Sequence, residues 1–420
     1  MKEQEVREGL LSPYRILDLT DEKGLFCGKL LGDLGADVIK IEKPGGDSAR
    51  NFGPFFHDDP HPEKSLYWFA FNTNKRGITL DIEKWDGLEI FKRLLKKTDA
   101  VIVSFDPGYM AKVGLAYSEL KKMNPRIVLT SITPFGQTGP YKNYKGSDIV
   151  CWALSGKLLL TGDPDRAPVP VSHVPHGWLH GSADGAVGTM MALYRRAWSG
   201  EGQQVDVSMQ ASLEKVGHVS HLMWTLLNRE GWRGSVHRTP PSNTAINYVW
   251  PCKDGYILFF PFSGPLGPLA TGTVVEFMER EGMADDFIRK FDWASLDWGC
   301  VSQEEADRLQ EYFIRFFKTK TKAELFNEAI KSNLLIQPVF TPKDILEHPQ
   351  LHHRDYWQKV EHRELSQDLT YPGGFLRSSE TACQIWRRAP LLGEHNKEIY
   401  EKELGITRAD LTALKQAGAI

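Results

Sequence analysis

Six short apolar runs, with helix-like stretches between most of them, fill the first half of the chain and restrict its fold more than any other feature. The runs cover residues 14–19, 36–41, 77–82, 100–104, 126–131 and 205–209. Between them, residues 25–34, 85–95 and 118–123 carry helical periodicity, and the first of these ends at Gly35, where a C-cap glycine belongs. The run at 36–41 is mostly apolar, as expected of a strand covered on both faces. Strand–helix alternation of this kind predicts an α/β fold, a large domain with a mostly parallel sheet flanked by helices. From 149 to 196 the pattern is helical with glycine punctuation.

Beyond residue 225 the texture changes. Gly231-Trp232-Arg233-Gly234, Pro240-Pro241 and the segment Ser263 to Pro268 mark loops around a strand at 256–261. A helix is expected at 304–318, and Thr321 with Glu324 forms a capping box opening another at 322–331. These changes suggest a large domain over 1–224, a smaller middle domain over 225–345, and a linker with a return to the large domain over 346–420. At 420 residues the chain is long enough for two domains.

Charge and composition exclude some classes of function. A formal net charge of -3 gives no global basic field, so no nucleic-acid partner is expected. No apolar stretch is long enough to span a bilayer, so no membrane association is expected. Met1-Lys2-Glu3-Gln4-Glu5 lacks the apolar core of a signal peptide, which points to a cytoplasmic protein. Five scattered cysteines, Cys27, Cys151, Cys252, Cys300 and Cys383, have neither disulfide-framework nor zinc spacing and read as reduced core thiols. His57-Asp58-Asp59-Pro60-His61 reads as an exposed turn, so no metal is expected. The glycines of 131–141 are not at dinucleotide-binding spacing.

Several motifs carry a resemblance. They are Ala153-Leu154-Ser155-Gly156, Gly177-Trp178-Leu179-His180-Gly181, Met191-Ala192-Leu193-Tyr194-Arg195-Arg196 and Gly200-Glu201-Gly202-Gln203-Gln204-Val205-Asp206-Val207-Ser208. Together with 388–396 near the C-terminus, they resemble the core of the family III CoA-transferases. That family includes formyl-CoA transferase, carnitine CoA-transferase and 2-methylacyl-CoA racemase. The resemblance implies an interlocked dimer and a coenzyme A thioester as substrate, with no permanently bound cofactor. It also implies coenzyme contacts at Lys43, at Asn74, Lys75 and Arg76, at Phe105 (able to stack on adenine) and at Lys112. Coenzyme A carries phosphates and an adenine, which call for cations and a flat apolar wall. Ser104 stands where the family motif has asparagine.

The family's chemistry begins with a carboxylate that attacks the thioester carbonyl. The resemblance places that nucleophile at residue 178, which here is tryptophan. An indole cannot form the anhydride, and loss of a covalent nucleophile costs on the order of 10⁴–10⁶-fold in rate. Other family positions also differ: Lys23 replaces a glutamine, and Ser147-Asp148 replaces the His-Asp pair of the racemases. His180 reads as a packed or capping residue, and Asp184 lies more than a helical turn from 178.

The chain is therefore expected to be a CoA-transferase subunit without a catalytic residue of its own, in an oligomer such as a heterotetramer. A paralogous partner would supply the aspartate. This is similar to the two-subunit family members that move CoA from succinyl-CoA to benzylsuccinate in anaerobic toluene breakdown. The alternatives are a homodimeric CoA-thioester isomerase or hydrolase, or a non-catalytic CoA-binding paralogue.

Overall fold

The computed structural model describes residues 9–231, 233, 234, 237–239 and 242–420. Met1 to Glu5, Trp232, Pro240 and Pro241, used in the sequence reading above, lie outside the described residues. The chain forms two compact units, one of 1–158, 172–230 and 350–420, the other of 159–171 and 231–349. The segment 159–171 is a member of the second unit that the sequence pattern did not reveal. It is held there by Arg233, whose guanidinium donates to the carbonyls of Leu159 and Asp163.

The first unit is built on six parallel strands, β1 (Arg15–Leu19), β2 (Asp37–Glu42), β3 (Lys75–Thr79), β4 (Ala100–Val103), β5 (Val128–Thr133) and β6 (Gln204–Ser208). Their order in the sheet is β3-β2-β1-β4-β5-β6. Helices α1 (Leu25–Asp33), α2 (Leu66–Asn72), α3 (Trp85–Leu95), α4 (Tyr109–Lys112), α5 (Tyr117–Met123), α6 (Asp148–Leu154), α7 (His176–Ser199), α8 (Met209–Glu214) and α9 (His218–Leu227) follow in chain order.

Successive strand residues face opposite sides, and both sides are apolar. Leu17, Ile39, Ile78, Val101 and Leu129 pack with Phe91, Leu94 and Tyr400. Ile16, Val38, Ile102 and Val128 pack with Leu31, Ala186, Leu193 and Met209. Close approach of α7 to the sheet and to α8 requires glycine. A Cβ at Gly181 would lie 2.7 Å from Met209 Cγ, and one at Gly185 2.7 Å from Ile132 Cδ1.

Two local differences from the sequence pattern share a cause. β3 starts at Lys75, two residues before the expected run, because two charged residues are buried within it. α2 was not anticipated, yet Ser65 caps it, its Oγ accepting from the Trp68 amide at 3.1 Å. The outer edge of β3 is covered by the C-terminal return. The Gly77 carbonyl accepts from the His395 amide at 2.9 Å, and the Thr79 amide donates to Asn396 Oδ1 at 2.9 Å.

The second unit holds a three-stranded antiparallel sheet in the order Ile336–Pro338, Gly255–Phe259, Val249–Cys252. Helices Thr273–Arg280, Gln303–Phe317 and Lys322–Ser332 bury Phe277, Phe313, Phe316, Phe317 and Leu325 around Trp250 and Phe259. The Thr321–Glu324 capping box forms as read. All five cysteines are free thiols. Cys300, however, is exposed rather than a core thiol, because it lies in a loop beside Asp297. Among the described residues, no helix is long and apolar enough to cross a membrane.

Candidate functional site

In an open parallel sheet, ligands bind beyond the carboxyl ends of the strands where the strand order reverses. Here that point lies between β1 and β4, so it is lined by Thr20 to Lys23 after β1 and by Ser104 and Phe105 after β4. Two hydrogen bonds close the loops together: Ser104 Oγ donates to Asp21 Oδ1 at 2.6 Å and accepts from the Asp21 amide at 2.8 Å. The Lys23 ammonium is held by Asp21 and has Glu22 at 3.9 Å. It is a neutralised cation rather than a free one.

The Lys23 carbonyl accepts from Ser182 Oγ at 3.1 Å, which brings the first turns of α7 to this crevice. Trp178 is the third residue of α7. Its ring packs on the cluster that includes Cys27, Trp152 and Met209. The indole Nε1–H is buried and has no hydrogen-bond partner.

Opposite it stands Asp148, the first residue of α6. Its Oδ1 accepts from the Gly177 amide at 2.7 Å and from the Trp178 amide at 3.2 Å. Glycine at 177 permits this, since a Cβ there would lie 2.9 Å from Oδ1. Burial raises the Asp148 carboxyl above its ordinary value, and the two amides, with His176 and His180 nearby, only partly offset that.

α7 has one carboxylate of its own, Asp184, and it is paired with Lys215. Burial lowers the His180 imidazole, so it stays neutral to lower pH than a free histidine. The crevice thus has a carboxylate from α6 and none at residue 178. Sequence reasoning gave Asp148 no role; its place beside Gly177 follows from helix packing that no spacing rule encodes.

The six residues expected at coenzyme A fall into two groups. Lys43 follows β2, Phe105 follows β4 and Lys112 ends α4, all near carboxyl ends of strands. They gather around Glu83: Lys43 Nζ lies 3.2 Å from its carboxylate, Lys112 is within electrostatic reach, and Tyr109, its ring tilted against Phe105, donates to it at 2.7 Å. The other three stand at the amino end of β3, beside the start of β2.

Lys75 is fully enclosed, its ammonium 2.8 Å from both Asp18 and the Leu25 carbonyl and 2.9 Å from Asn72 Oδ1. Burial alone would raise the Asp18 carboxyl, but Lys75 and Lys40 hold it below the usual carboxylate range. Arg76 is bound by Asp37, Glu398 and Glu403. Asn74 donates to Asp33 at 2.7 Å and accepts from the amides of Trp386 and Arg387. Protein groups take every side-chain donor of Asn74 and Lys75 and four of the five N–H groups of Arg76. Among the described residues, no cluster of His, Cys, Asp or Glu could hold a metal ion.

A doubly wound sheet with a crevice at its reversal point, facing a long helix whose first turn holds a carboxylate, defines an α/β ligand-handling scaffold. The chain belongs to CoA-transferase family III, whose sequence profile matches residues 11–396. It is 35% identical to the succinyl-CoA:(R)-benzylsuccinate CoA-transferase subunit BbsE of Thauera aromatica, over 97% of this chain and 98% of that protein. It is 28% identical to the succinyl-CoA–L-malate CoA-transferase beta subunit of Chloroflexus aurantiacus, over 98% of each. A CaiB/BaiF family protein from Brucella suis has a similar structure, with a TM-score of 0.80 and 27% identity, covering 94% of this chain and all of that one. CoA-transferases act on CoA thioesters, so the chain's substrates are of that class.

Proposed function

We propose that this chain is the non-nucleophilic subunit of a cytoplasmic hetero-oligomeric CoA-transferase whose paralogous partner carries the attacking aspartate. The enzyme moves CoA from an acyl-CoA such as succinyl-CoA to a carboxylic acid such as benzylsuccinate. One observation carries the reading: an indole occupies the third position of α7, where the scaffold's nucleophile belongs, and the single α7 carboxylate is tied to a lysine. Two relatives named as subunits of succinyl-CoA-dependent transferases support it.

An unpartnered surface supports it too. Val187, Met191, Tyr194 and Trp198 form a stripe along one face of α7, each more than half exposed, and Leu222, Trp224, Leu226 and Leu227 of α9 are also exposed. Contiguous apolar surface of this size on a helix is usually covered by another chain.

In the partner's site, the aspartate attacks the acyl-CoA carbonyl, giving a mixed anhydride and CoA thiolate. The thiolate then attacks the aspartyl carbonyl, releasing the donor acid and leaving an enzyme thioester. The acceptor carboxylate attacks that thioester to give a second anhydride and thiolate again. The thiolate recaptures the acceptor acyl group and the aspartate is restored. In this chain, Lys43, Phe105 and Lys112 are the proposed contacts to the coenzyme's nucleotide, while Asn74, Lys75 and Arg76 tie the amino end of β3 to surrounding protein groups. Co-expression with the paralogue should give a stoichiometric complex that transfers CoA from succinyl-CoA to an aryl-dicarboxylate. Recovery of a stable, active homodimer of this chain from the mixture would overturn the proposal.

A further inference from the structure

The segment leading into α7 contains a nucleophile and a base that the transfer reaction does not use. Ser172 Oγ accepts from the Val174 amide at 3.0 Å, which leaves its own hydrogen to donate, and His176 Nε2 lies 3.1 Å away. His176 is the first residue of α7, and its ring meets that of Trp152 nearly at right angles, the ring centres 6.2 Å apart. The two residues that follow His176 are fixed by Asp148, whose Oδ1 accepts from their amides. A hydroxyl free to donate to an imidazole nitrogen is the pairing from which serine is activated toward carbonyls.

We infer that Ser172, with His176 as general base, hydrolyses acyl-CoA thioesters that reach this subunit. Ser172 Oγ attacks the thioester carbonyl as its proton passes to His176 Nε2. The C–S bond breaks, the sulfur takes that proton, and CoA thiol leaves an acyl-serine ester. Water then gives a proton to His176 and attacks the ester carbonyl. The carboxylic acid is released and the proton returns to Ser172 Oγ. Transfer cannot follow from this intermediate, because an oxygen ester lies well below an anhydride or thioester in acyl-transfer potential. Water is therefore the acceptor. The activity rests on the reading that CoA thioesters reach this chain, and extends it.

The test is thiol release from succinyl-CoA, without acceptor acid, by the co-expressed complex whose partner aspartate has been changed to alanine. Slow release is expected, falling at least ~10-fold in Ser172→Ala and in His176→Gln. Acyl mass is expected on the peptide containing Ser172 after brief incubation. CoA transfer by the complex with its aspartate intact should be unchanged in Ser172→Ala. Release that survives Ser172→Ala, or acyl mass on another residue, overturns the inference. Transfer without any such release overturns this inference alone; absence of both transfer and release overturns the subunit proposal with it.

Discussion

At residue 178 the substitution changes more than chemistry. The buried Nε1–H of Trp178 has no partner, and an orphaned donor costs about 1–3 kcal/mol. Trp178→Phe removes that donor along with some packing, so the two effects oppose each other. Unfolding stability should stay within about 1 kcal/mol of the parent by urea titration. Asp148 gives a pH signature. Its folded-state carboxyl titrates above the ordinary value of 3.8, so the folded protein binds that proton more tightly than the unfolded chain does. Asp148's contribution is then most favourable below about 3.8 and is lost as pH rises through the folded-state pKa. Asp148→Asn should flatten that fall above pH 3.8, since an amide oxygen can still accept from Gly177 and Trp178. An unchanged pH slope in the variant would contradict the burial argument.

Among the elements, α7 has two faces with different duties. Gly181 lets one face touch α8 and Gly185 lets it touch the sheet, and Gly185→Val would push a side chain into Ile132. A loss of roughly 1–3 kcal/mol or more is expected in thermal unfolding. The opposite face, with Met191 and Tyr194, is exposed in this chain. Tyr194→Glu should therefore leave the isolated chain's stability within about 0.5 kcal/mol while abolishing co-purification with the paralogue. Loss of folding instead would show that this face already packs within the chain.

For the whole molecule, separate cores and a charge-stitched return set how stability is distributed. Phe313 belongs to the aromatic core of the second unit. Phe313→Ala should cost about 3–5 kcal/mol, lowering one calorimetric transition and leaving the other in place. In the first unit, Arg50 is fully buried, bidentate on Glu42 at 2.6 and 2.8 Å and stacked 3.8 Å over Trp68. Glu42→Ala removes the bidentate partner but leaves Arg50 with Glu63 and the Pro390 carbonyl, so it should cost about 1–3 kcal/mol, read as a drop in urea midpoint.

The sequence by itself determined the alternating strands, the identity of residue 178 and the kind of protein. Apolar runs bounded by turns report burial directly, and a missing side-chain type is visible without coordinates. Residues 74–76 show where that legibility ended. The resemblance implies coenzyme contacts for them, while in the fold they are buried and bound by Asp18, Asp33 and Asp37, distant in sequence. The meeting of Asp148 with the first turn of α7, the contact of Ser172 with His176 and the place of 159–171 in the second unit were likewise decided by tertiary structure. Each depends on which backbone groups and charges packing brings together, and a linear pattern of hydrophobicity carries no record of that.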